Sequence, residues 1–160
     1  EDRTNDGDSF RILLPDGRRE IFRLYYVDTP ESAFKSYANG ENNHDRIRDQ
    51  AGYFGISPDT AVNLGTLGKK FTLDLLASKP FTIYTKWDDP FGDRRYHAFI
   101  LVQSGGKSRW LHELLVEKGL ARQKTKPAEL PDGTSVEAHR RLLNTLQNEA
   151  KRSKVGGWSN

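Results

Sequence analysis

From Phe10 to Val27 the chain follows the two-residue period of β-strands. Phe10, Ile12 and Leu14 alternate with Arg11 and Leu13, Pro15-Asp16-Gly17 interrupts, and a second apolar run of Phe22, Leu24, Tyr25, Tyr26 and Val27 follows. Proline sets φ at a turn and glycine takes the positive φ after it, so this stretch predicts a β-hairpin with its second strand from about Glu20 to Val27. Pro30 ends the ladder, because it pushes Thr29 to extended geometry and lacks a donor. Residues 32–57 carry little pattern beyond a short helix predicted near Asp45–Phe54, and so long an irregular stretch is often functional. Ser57-Pro58 then reads as an N-cap followed by proline in the first turn, opening a helix to about Leu76 with Ala61, Leu64, Phe71, Leu75 and Leu76 on one face.

Two strands are predicted in "KPFTIYTKW" and "RRYHAFILV", with the turn cluster "DDPFGD" between them and Ser104-Gly105-Gly106 after them. A short helix over "RWLHELLVEKG" turns Leu111, Leu114 and Leu115 inward and stops at Gly119. Residues 123–134 form a Lys/Pro/Gly-rich loop. The last helix starts near Ser135, carries Leu142, Leu143, Leu146 and Ala150 at helical spacing, and ends by Gly156-Gly157. The order predicts a small, mostly antiparallel barrel with packed helices.

A chain of 160 residues suits a single domain with a proper core. The net charge of +3 is uneven: residues 1–58 hold 8 Lys and Arg against 11 Asp and Glu, and residues 107–160 hold 11 against 6. A basic half facing an acidic cluster is the balance of a polyanion binder with a metal site, although solvated helix faces produce it too. The absence of cysteine excludes disulfides and thiolate metal sites. There is no methionine either, so the expectation is a processed product or a trimmed chain, from which an upstream signal peptide could have been removed. No run approaches membrane-spanning length.

The stretch "FRLYYVDTPES" places an arginine inside an apolar strand and two acids around a Thr-Pro. Buried charge is costly unless paired or satisfied by a ligand. Either Arg23 pairs with Asp28 or Glu31, or all three await something charged. Strict alternation puts Arg23 and Asp28 on opposite faces, so they converge only if the strand twists or bulges before Pro30. Some other motifs fall away. "GGKS" at 105–108 has Leu101 where a phosphate-binding loop needs its first glycine. His112-Glu113 lacks the second histidine of a zinc helix, and His44, His97 and His139 stand isolated, so structural roles are expected for them.

Asp6-Gly7-Asp8-Ser9, the run Phe22-Arg23-Leu24-Tyr25-Tyr26-Val27-Asp28-Thr29-Pro30-Glu31 and Arg95-Tyr96-His97-Ala98-Phe99 together resemble the thermonuclease (staphylococcal nuclease-like) family. "LVEKGLAR" at 115–122 and "AKRSKVGGWS" at 150–159 extend the likeness to most of the chain outside 32–57. The resemblance implies an α+β, mainly β fold over residues 1–160: a five-stranded OB-fold barrel with about three packed helices and an insertion at 32–57. It also implies a monomeric, calcium-dependent nuclease acting on DNA, RNA or both, and, since the family is often exported, a secreted or periplasmic location. Asp8, Asp28 and the Thr29 carbonyl would hold the calcium ion, Glu31 would orient or deprotonate the attacking water, and Arg23 and Arg95 would grip the phosphate. Spacing to Ala98-Phe99 selects Arg95 over Arg94.

The chemistry is consistent with that division: a hard cation wants oxygen ligands, and arginine suits an anionic phosphate. The family's two tyrosines after "GLA" are absent, since this loop reads Arg122-Gln123-Lys124-Thr125-Lys126-Pro127. Lys124 and Lys126 are expected to track the nucleic-acid backbone instead. Base stacking is then either lost or supplied elsewhere, for example by Tyr53, Phe54 or Trp87. The alternative is a non-catalytic domain of the same fold that binds nucleic acid or protein.

Overall fold

The turn at Pro15-Asp16-Gly17, with Gly17 at φ +88°, joins β1 (Ser9–Leu13) to β2 (Arg19–Leu24) in an antiparallel hairpin. The computed structural model describes residues 5–159. β2 stops at Leu24, three residues short of the expected Val27. Tyr26 sits at φ +72°, a left-handed conformation that non-glycine residues seldom adopt. It is held there by backbone hydrogen bonds in both directions, donating to the Lys126 carbonyl and accepting from the Lys124 amide. Its hydroxyl donates to the Ala128 carbonyl at 2.5 Å. The chain therefore leaves the first sheet and enters β3 (Val27–Asp28), which pairs antiparallel with β7 (Arg122–Gln123) in a separate two-stranded sheet. One apolar run supplies strands to two sheets.

In the main sheet β2 lies parallel to β5 (Arg95–Ser104), and β5 pairs antiparallel with β4 (Thr82–Thr85) and β6 (Lys107–Trp110). The expected closed five-stranded barrel needs correction. The main sheet does have five strands, but it is mixed, and the strand pairings among the described residues do not close it. The turn at Tyr26 carries the chain out of the main sheet, and β3 and β7 pair only with each other.

The described residues form four helices rather than about three: α1 (His44–Phe54), α2 (Pro58–Ser78), α3 (Leu111–Glu117) and α4 (Val136–Ser153), followed by a 3₁₀ turn at Gly156–Trp158. The additional one, α1, lies in the 32–57 segment. Ser57 and Ser135 cap α2 and α4 by accepting from the amides of Thr60 and Ala138, at 3.1 and 3.2 Å. α3 starts later than expected because residues 107–110 extend the hairpin from β5. The core gathers Phe10, Phe22, Leu24, Phe99, Ile100, Leu111, Leu115 and Leu143 between the sheet and α3 and α4. No helix among the described residues is long and apolar enough to cross a membrane.

Candidate functional site

Strand register sets the first positions. Ser9 on β1 lies opposite Arg23 on β2, and Arg23 lies opposite His97 on β5, two residues from Arg95. Asp8 directly precedes Ser9, and its carbonyl accepts from the Leu24 amide at 2.9 Å. The turn at Tyr26 then returns Asp28, Thr29 and Glu31 toward the same region, which resolves the alternation problem. Asp8, Arg23, Thr29, Glu31 and Arg95 all line one polar pocket of about 270 Å³, with Asp6 and Arg46. Asp28 faces an adjoining groove of about 720 Å³, together with Lys124, Lys126 and Phe91, and Arg23 and Arg46 line both spaces. Every residue expected to hold the metal, act in catalysis or contact phosphate thus lines one of these two spaces, whereas Tyr53, Phe54 and Trp87 line neither. Arg94 lines neither and takes φ +59° just ahead of β5.

α2 forms the floor of the site. A Cβ on Gly65 would stand 2.2 Å from the Glu31 carbonyl oxygen and 2.5 Å from that of Pro30. A Cβ on Gly7 would stand 2.8 Å from the Thr29 methyl group. Only glycine lets these backbones approach so closely. Thr72 on α2 donates to the Gly7 carbonyl at 2.7 Å. From the other side the fully buried Gln50 of α1 accepts from the Glu31 amide at 3.0 Å and reaches the Thr29 carbonyl at 3.4 Å. The Asp28–Glu31 turn is therefore clamped between α1 and α2.

The acids are not idle. Arg122 grips both oxygens of Asp28, at 2.7 and 3.1 Å, through the β3–β7 register that pairs the two residues. Arg46 of α1 lies 3.2 Å from Glu31 and 3.8 Å from Asp28. Asp28 and Glu31 thus have ionic partners from elsewhere in the chain, Arg122 and Arg46, and neither pairs with Arg23 among the described residues. Arg23 has no acidic partner within ion-pair distance among the described residues, and its guanidinium lies 5.8 Å from the Phe91 ring centre.

Burial, then the charges of Asp28 and Asp6, push Asp8 up to about 7, against Arg46 and Arg23. Among the described residues its carboxylate has a single weak hydrogen bond, from the Thr29 hydroxyl at 3.3 Å. Burial also raises Glu31, with Arg46 opposing. A buried carboxylate surrounded by other acids is short of a cation, so the donor chemistry fits calcium: all ligands are oxygens, and Asp8 is inadequately neutralised. Asp28 would have to divide its carboxylate oxygens between that ion and Arg122.

Sequence reasoning missed Arg46, Gln50, Arg122 and Phe91. Arg122 stood inside a matching motif without a role. Arg46 and Gln50 lie in the weakly patterned segment and had no signal at all. The suggested stacking residues also divide. Phe54 is buried, and Tyr53 packs on Trp158 and bonds Gln147, so both belong to the interior; Trp87 is 42% exposed. Phe91 is 73% exposed at the groove. His112 and His139, isolated in sequence, meet in the fold at 2.6 Å between their Nε2 atoms.

Residues 21–160 match the family model described as staphylococcal nuclease homologue. The match takes in Arg23, Asp28, Thr29, Glu31 and Arg95, while Asp8 precedes it. No curated protein matches the chain.

Proposed function

The chain belongs to the staphylococcal nuclease homologue family, and from that premise we propose that it is a calcium-dependent nuclease hydrolysing phosphodiester bonds of DNA or RNA. One observation carries the reading: Asp8, Arg23, Thr29, Glu31 and Arg95, from separate parts of the chain, line a single pocket. Asp8, Asp28 and the Thr29 carbonyl are the residues to hold calcium. The bound ion would supply Lewis-acid polarisation of the phosphate and a template for its approach.

Glu31, raised by burial, is suited to orient the attacking water or take its proton. Water oxygen bonds to phosphorus and gives up a proton to Glu31 or to solvent, the bond to the 5′ oxygen breaks, and that oxygen takes a proton from solvent and leaves as a hydroxyl. A 3′-phosphate remains, as the family likeness implies. Arg23 and Arg95 offer permanent positive charge to the phosphate oxygens, and their contacts matter most where negative charge grows in the transition state. Lys124 and Lys126 line the adjoining groove and suit the backbone of the flanking nucleotides.

A second reading, a binding domain without catalysis, draws support from Arg122, which already occupies both oxygens of Asp28. Cleavage of denatured DNA and of RNA in about 10 mM calcium, against a chelator, separates the two. The nuclease reading expects calcium-dependent fragments ending in 5′-hydroxyls. Intact nucleic acid in both conditions, with a salt-sensitive gel shift, would favour the binding domain.

A further inference from the structure

A second cluster of ligating side chains lies on the far side of Tyr26, between α3 and α4. His112, Glu113 and His139 are all buried, and their ligand atoms lie within 4.8 Å of one another. The two Nε2 atoms face each other at 2.6 Å. Among the described residues the Glu113 side chain accepts no hydrogen bond, and its charged partners are Arg109 at 3.8 Å and His139 at 3.9 Å. A carboxylate buried with so little compensation is costly unless something else satisfies it.

We propose that His112, Glu113 and His139 form a binding site for a zinc-class transition-metal ion, distinct from the calcium site. Two imidazole nitrogens with one carboxylate are a zinc donor set, and they discriminate against calcium and magnesium, which take oxygen. Both rings are held in place: Tyr26 stacks on His112 at 5.5 Å and meets His139 edge-on at 4.9 Å. Nε2 atoms sharing a tetrahedral zinc, at bonds of about 2.0–2.1 Å, stand about 3.3 Å apart. The rings therefore open by about 0.7 Å from the 2.6 Å contact to admit the ion.

The competing description is a plain His–His hydrogen bond, which requires one ring to be a donor and the other an acceptor at Nε2. The Nδ1 of His112 has no partner, so no bond on that side fixes the tautomer. A fourth position falls to water, as in zinc sites with three protein ligands.

The test uses the chelator-stripped chain with calcium in excess, so that the acidic pocket is already supplied. Zinc is titrated while bound metal is counted, and cobalt is then substituted for it. The proposal expects one zinc per chain, a higher unfolding temperature, and cobalt absorption bands of a tetrahedral nitrogen/oxygen site. His112→Gln and His139→Gln each weaken zinc affinity by at least about 100-fold. Glu113→Gln, which keeps the side-chain shape, weakens it as well. A parent chain that takes up no zinc would overturn the proposal, whatever the folding of the variants. Uptake of equal affinity in the parent and in folded histidine variants would overturn it too.

Discussion

Glu31 and Arg46 meet at 3.2 Å, and that contact sets the working range of the proposed base. Arg46 is the strongest influence opposing the burial that raises Glu31. Glu31 has to be ionised to take a proton, so its titration forms the acid limb of the rate profile. Arg46→Ala is expected to move that limb of kcat/KM to higher pH, measured from about pH 4 to 9. An unmoved limb would remove Arg46 from the account.

His97 gives a separate test, of stability. It is buried with Nδ1 unpartnered, and burial, then Arg23 and Lys126, hold its pKa below the ordinary value of 6.5. The unfolded chain therefore binds the proton more readily than the folded one. The stability of neutral His97 is present above pH 6.5 and is lost as pH falls toward the lower folded value. His97→Leu should flatten part of the acid slope of the thermal midpoint; an unchanged slope would contradict this. At this scale Arg23, Asp28 and Glu31 were legible because they crowd one short motif. Arg46 and Arg122 were not, because a residue's ionic partner across the fold leaves no local pattern.

Helix α2 and the inserted α1 also fix the backbone of the Asp28–Glu31 turn in place. Gly65→Ala would drive a methyl group to 2.2 Å from the Glu31 carbonyl, so the Asp28–Glu31 turn or α2 must shift. The expected result is at least 100-fold lower turnover, since a displacement near 1 Å costs about that much. Measured calcium affinity should fall with it. Wild-type kinetics in this variant would show that the floor is not needed.

Gln50→Leu leaves the Glu31 amide unpaired in the interior and should cost about 1–3 kcal/mol in chemical denaturation. The helix starts at Ser57 and Ser135 and the hairpin turn were readable, since caps and turns are local chemistry. The end of β2 was not. Nothing in an apolar run marks Tyr26 for a positive φ, because the bonds that hold it there come from Lys124, Lys126 and Ala128, a hundred residues away in the chain. The closed barrel failed as an expectation for the same reason: pairing partners are a tertiary matter.

For the molecule as a whole, the acidic N-terminal part and the basic C-terminal part meet along one groove. Lys124 and Lys126 stand on the same side as Arg23, so binding should be salt-sensitive. Replacing both lysines with alanine should make the slope of log affinity against log salt shallower by about 1.4 for single strands, roughly 0.7 for each phosphate that is no longer neutralised. Cleavage should weaken evenly across sequences, because these lysines read the backbone. An unchanged slope would move the substrate path away from this groove.

The central claim is that the buried acids support hydrolysis and do more than hold the fold together. Its most direct test measures single-turnover cleavage and substrate affinity together, over a calcium titration, in the parent and in Glu31→Gln. The account predicts calcium-dependent cleavage that falls by about 10²–10⁴-fold in the variant while affinity in calcium changes little. Equal cleavage by parent and variant, or a parent that binds nucleic acid without cutting at any calcium concentration, would contradict it.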